Sequence, residues 1–138
     1  MSTRLQIENL SKSYSGPKGG IGAVNEVSLT ISAGEFVAVQ GPSGCGKTTL
    51  ISVLAGILYP TSGTCEVLSK ELTTMSRRDL IGFRAKNIGF VFQSFNLLPR
   101  LSALSNVMLP MLYNSDDLSD AEAEARAIAS LEAVGLGG

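Results

Sequence analysis

Apolar and polar residues alternate along the first part of the chain. Leu5, Ile7 and Leu10 are spaced as on a half-buried strand, and Val27, Leu29 and Ile31 alternate with Ser28 and Thr30 in the same way. Between them the glycine-rich stretch SGPKGGIG, Ser15 to Gly22, predicts a turn or loop. SAGE, Ser32 to Glu35, makes the next turn. The pattern then becomes a short unbroken apolar run, FVAV from Phe36 to Val39, which predicts a central strand buried on both faces.

Helical spacing follows. Leu50, Leu54, Ile57 and Leu58 predict a helix of about three turns that starts near Lys47 and is stopped by Pro60. TSGT, Thr61 to Thr64, turns the chain into a short strand around Cys65 to Leu68. MSRRDLIGFRAK, Met75 to Lys86, predicts a helix with Ser76 as N-cap and Asp79 three residues on, a capping-box arrangement. NIGFVFQ, Asn87 to Gln93, predicts a second apolar strand. Beyond Ser94, Pro99 and Pro110 bracket RLSALSNVML, a short helix. SDAE, Ser119 to Glu122, is another capping box, and it opens a helix with Ala125, Ile128, Leu131 and Val134 on one face, ended by Gly135.

Composition narrows the class of protein. The chain has 138 residues, of which 44% are hydrophobic and 17% charged, the balance of a soluble globular domain. Lys and Arg total 11 against 12 for Asp and Glu, a net charge of -1, which offers no general pull toward nucleic acid or anionic lipid. No run of about 18 apolar residues encodes a membrane span, and the N-terminal alternation lacks the apolar middle of a signal peptide. The expectation is therefore a cytoplasmic protein. Cys45 and Cys65 lack metal spacing, so neither zinc nor a disulfide framework is expected. Cys65 reads as core, and the Arg77–Arg78 pair as a solvated helix face.

The candidate chemistry lies directly after the FVAV run. GPSGCGKT, Gly41 to Thr48, matches the spacing G-x-x-x-x-G-K-[ST], with a predicted buried strand before it and a predicted helix behind it. A phosphate chain is a dense anion that must be gripped without steric obstruction. Gly41, Gly44 and Gly46 let successive N–H groups turn inward as a nest. The following helix adds its N-terminal donors and partial positive charge. Lys47 supplies a full charge for the β- and γ-phosphates, and Thr48 places a hydroxyl where it can bind Mg²⁺. Cys45 contributes mainly its backbone N–H and its thiol has no expected catalytic duty, although an anion-binding nest favours the reactive thiolate.

Four stretches together resemble one family of P-loop proteins, the ATP-binding domains of ABC transporters. LSKSYSG places Tyr14 where that family carries an aromatic that stacks on adenine. NEVSLTISAGEFVAVQGPSGCGKTTL is similar to its strand, turn and Walker A sequence, IGFVFQSFNLLPRLSALSNVMLPM to its Q-loop, and SDAEAEARAIASLEAVGL to the segment before its signature motif. Within the family, FNLLPRLSALSNVMLP is most similar to the lipoprotein-releasing and macrolide-export group. The resemblance implies an α/β P-loop fold with an N-terminal antiparallel β subdomain: residues 1–93 would be the ATP-binding core portion and 94–138 the beginning of a helical subdomain. It implies ATP held by Tyr14, Gly41, Ser43, Gly44, Cys45, Gly46, Lys47, Thr48 and Thr49, and Mg²⁺ by Thr48 and Gln93. Lys47 and Gln93 would be the catalytic side chains. It also implies a homodimer beneath membrane-embedded permease subunits on the cytoplasmic face of the inner membrane.

Hydrolysis in this family also uses a Walker B Asp for the metal and an adjacent Glu for the attacking water. After Gln93 no four apolar residues precede an acid; Asp116 follows YNS, the terminal GLGG is no LSGGQ signature, and the chain contains no histidine. The expectation is an ATPase domain cut short before these elements, with a core incompletely covered, marginally stable and prone to associate through strand edges. A non-catalytic nucleotide-binding module or a gene remnant stays open beside it. A GTPase is disfavoured because no N-K-x-D stretch occurs, and the region around Gln93 does not suit a kinase.

Overall fold

The computed structural model describes residues 3–16, 20–113 and 118–137. Part of the Ser15–Gly22 loop, Asp116 and Gly138 lie outside the described residues. The described chain divides into two compact units, residues 1–80 and 81–138.

In the first unit β1 (Thr3–Tyr14), β2 (Ile21–Ser32), β3 (Ser62–Val67) and β4 (Lys70–Glu71) form an antiparallel sheet of order β2-β1-β3-β4. The predicted alternation is present: Val27, Leu29 and Ile31 are half-buried while Ser28 and Thr30 are exposed. Its irregularity has a cause. Ile7 and Leu10 are three apart, yet both are fully buried, because the register slips by one residue between Ile7↔Leu29 and Leu10↔Val27. A second slip between Leu10 and Lys12 restores it. At these bulges Asn9 (φ 48) and Glu26 (φ 46) turn left-handed. Each N–H thus removed from the ladder is taken by a serine of the opposing strand, Asn9 by Ser28 Oγ at 3.0 Å and Glu26 by Ser11 Oγ at 2.9 Å.

The helix α1 spans Lys47–Leu54 and packs on β2 and β3. It is shorter than the expected three turns, and Pro60 does not end it. Gly56, at φ 63, takes the left-handed conformation beyond the last turn. Its N–H bonds Val53 O at 2.9 Å and that of Ile57 bonds Ser52 O at 2.8 Å, closing the helix four residues before the proline. Val53 is the buried anchor of α1, with Ile7, Leu10 and Cys65 against the sheet.

Two predicted strands are absent. Residues 36–39 and 88–92 have no regular structure, and Phe36 and Val91 are each 95% exposed. An unbroken apolar run becomes a strand only where neighbouring strands take its N–H and C=O groups and layers cover both faces. Among the described residues no strand pairs with either run.

The predicted α2 is observed at Arg77–Asn87, with Asp79 N–H on Ser76 Oγ at 3.2 Å. The second unit contains α3 (Ala103–Met108) and α4 (Asp120–Ala133), which pack together. Ser102 caps α3, and Asn106 fastens the preceding segment: its Oδ1 accepts from Leu98 N–H at 2.8 Å, while Nδ2 donates to the carbonyls of Leu98, Leu101 and Ser102. The predicted Ser119–Glu122 capping box is present, and Gly135 ends α4 with the same closure as α1.

The predicted face of α4 is not the one observed. Ala123 and Ala127 are buried and Leu131 half-buried, whereas Ala125, Ile128 and Val134 are exposed. Residues three apart step back by about 60° each time on a helix of 3.6 residues per turn, so 125, 128, 131 and 134 spread over half its circumference. Steps of four drift by about 40° in the other direction, so 123, 127 and 131 stay within about 80° and form the coherent stripe.

The two hydrogen bonds from Ser119 and the nearby Arg126 charge hold the Glu122 carboxyl below the ordinary carboxylate range. Because the folded value is lowered, the ionised cap favours α4 above the ordinary carboxylate range, and this contribution is lost as pH falls through the lowered native value. NMR titration of Glu122 should show a lower midpoint in the wild type than in Ser119→Ala; equal midpoints would contradict the cap.

Candidate functional site

The loop between the exposed 36–39 run and α1 is shaped by one close approach. At Gly46 the backbone is left-handed (φ 94, ψ 4), and a Cβ there would overlap the carbonyl oxygen of Ala23 on β2. Glycine therefore serves as the N-cap of α1, with no side chain to satisfy the helix's first donors. The first helical bond is Leu50 N–H to Gly46 O at 2.9 Å. Among the described residues the N–H groups of Lys47, Thr48 and Thr49 have no backbone acceptor, so the head of α1 presents a cluster of open donors.

Lys47 adds the charge. Its Nζ donates to the carbonyl oxygens of Gly41 at 2.8 Å and Pro42 at 2.7 Å, with Cys45 Sγ at 3.7 Å. Neutral carbonyls fix the position of the ammonium without cancelling its charge, which leaves it free to neutralise an anion at the same loop. Cys45 N–H closes the turn on Pro42 O at 3.4 Å. Ser43 and Gly44 are exposed on its rim, and Thr48 exposes its side chain one residue beyond Lys47. Open N–H donors, one unneutralised cation and an adjacent hydroxyl fit a phosphate chain with a hard, oxygen-seeking metal ion such as Mg²⁺.

The end of β1 reaches the same place. Tyr14 shares a 3.3 Å hydrogen bond between its hydroxyl and Thr49 Oγ1, tying the aromatic ring to the first turn of α1. Lys12, two residues earlier on the strand, places Nζ 5.5 Å from the ring centroid. A cleft of about 330 Å³ runs between β2 at Gly22, Ala23 and Val24 and the loop at Cys45, Gly46 and Lys47, a size within the range of small-molecule sites.

Every residue singled out from Tyr14 to Thr49 lies in the first unit, and the geometry brings Tyr14, the loop and the head of α1 together. Gln93 belongs to the second unit, exposed in a turn with Ser94. Sequence reasoning passed over Ala23 and Lys12. The Ala23 contact links positions 23 residues apart and leaves no local signal, whereas Lys12 shares the strand face of Tyr14 and could have been found by its spacing of two. Among the described residues no group of three or more His, Cys, Asp or Glu side chains gathers to hold a metal, and no helix is long and apolar enough to cross a membrane.

A glycine loop that leads into an uncapped helix and wraps a lysine defines the P-loop class of α/β nucleotide-binding proteins. The family profile described as "ABC transporter" matches residues 24–138, and the chain belongs to that family. It is 43% identical over 134 residues to the macrolide export ATP-binding/permease protein MacB of Rhodopirellula baltica, covering 97% of this chain and 20% of that one. It is 44% identical over 132 residues to YvrO of Bacillus subtilis, an uncharacterised ABC transporter ATP-binding protein, covering 96% and 57%. The solved dimer of the ATP-binding cassette MJ0796 in a post-hydrolysis state with ADP and phosphate superposes with a TM-score of 0.86 at 36% identity, over 93% of this chain and 56% of that one. The chain thus spans about a fifth of the macrolide-export protein and just over half of the shorter relatives.

The two thiols differ sharply in surroundings. Cys45 is exposed on the loop, while burial of β3 in the core pushes the Cys65 thiol up to about 11. Iodoacetamide at about pH 8 should label Cys45 and spare Cys65 until the chain is unfolded. Equal labelling of both in the native chain would contradict the packing of β3.

Proposed function

We propose that this chain is the ATP-binding part of an ABC transporter subunit, in which nucleotide binding and hydrolysis are coupled to transport or extraction of a substrate by membrane-embedded permease subunits. The observation that carries this reading is the junction of loop and helix. Lys47 is held at 2.7–2.8 Å by two carbonyls of its own loop, beside the open N–H groups that begin α1. In this reading residues 1–93 are the nucleotide-binding core portion and 94–138 begin a helical subdomain. Gly41, Ser43, Gly44, Cys45, Gly46, Lys47, Thr48 and Thr49 hold the triphosphate, and Tyr14 offers its ring to adenine.

Mg²⁺, when bound, neutralises phosphate charge and orients the terminal phosphoryl group. Thr48 would hold it through its hydroxyl and Gln93 through its amide oxygen. The working protein is a homodimer, a reading supported by the dimeric cassette among its structural relatives, and it sits at the cytoplasmic face of the inner membrane. The exposed apolar runs at 36–39 and 88–92 take strand form where further strands cover them.

Lys47→Ala removes the only full charge the loop offers and should weaken ATP binding by at least about tenfold, the worth of one charge-assisted hydrogen bond. Unchanged ATP affinity in that variant, measured by calorimetry on a folded chain, would overturn the assignment.

No residue among these 138 matches the acid pair that holds metal and water for hydrolysis in the family, so the chain alone is proposed to bind ATP without turning it over. A steady-state phosphate-release assay should read background. Turnover that disappears on mutating Lys47 would contradict this part of the reading.

A further inference from the structure

We propose that Lys12 is a positioning residue for the nucleobase: its ammonium occupies one face of the Tyr14 ring and leaves the other as the single stacking surface. The inference rests on the nucleotide-binding reading above and extends it to a residue that no motif covers. Residues two apart on a strand share a face, so β1 sets Lys12 beside Tyr14. Nζ stands 5.5 Å from the ring centroid, within the reach of a cation–π contact. The ring is anchored at its far end by the 3.3 Å hydroxyl bond to Thr49. The strand beneath is pinned as well, with Ser13 N–H on Thr61 Oγ1 at 3.0 Å and Tyr14 paired with Ile21 across the ladder. Backbone, hydroxyl and one ring face are thus fixed before any ligand arrives, while the residue remains 41% exposed.

The arrangement has a chemical consequence. A cation draws on the negative face of the aromatic quadrupole and makes the opposite face less electron-rich, which favours stacking with an electron-rich purine. A platform of this kind reads the face of a base and the area it offers, not the hydrogen-bonding pattern of its edge. Lys12 acts on the ligand only through Tyr14 and contributes nothing to the phosphates.

The test compares MgATP with magnesium tripolyphosphate, which has the phosphates and no base, by calorimetry on the 138-residue chain. Lys12→Met should weaken ATP binding by about two- to fivefold, the range of an exposed cation–π contact. Lys12→Arg should restore it, and tripolyphosphate affinity should not change. In a Tyr14→Leu background, Lys12→Met should have no further effect. Equal weakening of both ligands would make Lys12 a phosphate contact and overturn the proposal, as would an undiminished effect without the tyrosine ring or no effect at all. Failure of the wild-type chain to bind ATP would overturn the nucleotide reading and this inference with it.

Discussion

At Gly46 the loop lies so close to the Ala23 carbonyl of β2 that no side chain fits between them. That contact decides how α1 begins. A residue with a polar side chain at the N-cap would satisfy one or two of the helix's first N–H groups itself. Glycine cannot, so the donors of Lys47, Thr48 and Thr49 stay available, and the partial positive charge of the helix end points out of the loop. Lys47 folds back onto the Gly41 and Pro42 carbonyls and brings a full charge to the same spot. The antiparallel sheet holds β2 at the distance that enforces this geometry and, through β1, brings the Tyr14 hydroxyl to Thr49 on the same helix turn.

Elsewhere the chain meets only part of its own demand for burial. The sheet, α1 and Leu80 of α2 enclose a compact core of Ile7, Leu10, Val53 and Cys65. By contrast Phe36 and Val91 sit in runs with the composition of interior strands and the exposure of a surface, as do Phe95 and Leu97 further on, at 80% and 67% exposed. Such stretches stay soluble only while something covers them or while their backbone avoids edge-to-edge pairing. The buried core of Ile7, Leu10, Val53 and Cys65 holds the first unit together around the loop despite the exposed run at 36–39.

What could be read from the residues alone was whatever depended on neighbours in sequence. The loop from Gly41 to Thr48, the caps at Ser76 and Ser119 and the stop at Gly135 are local chemistry, and each element occurs where its residues place it. The β1–β2 pair was legible as alternation, and its bulges were visible only as the odd spacing from Ile7 to Leu10. Spacing by three does not follow one face of α4; the buried stripe is that of the small residues Ala123 and Ala127, four apart. The runs at 36–39 and 88–92 announce burial, but whether they become strands depends on partners that their own residues do not specify. The Ala23–Gly46 contact and the Tyr14–Thr49 bond join distant segments, and only the folded backbone reveals them.

The backbone donors at the start of α1, grouped around Lys47, are proposed to hold the phosphates. Titrating the ¹⁵N-labelled chain with MgATP and following its amide resonances tests this directly. The largest shifts should fall on the N–H groups from Gly44 to Thr49, with smaller ones at Tyr14 and along β2 near Ala23. Shifts concentrated elsewhere, with the amides of Gly44 to Thr49 unmoved at saturating nucleotide, would contradict it.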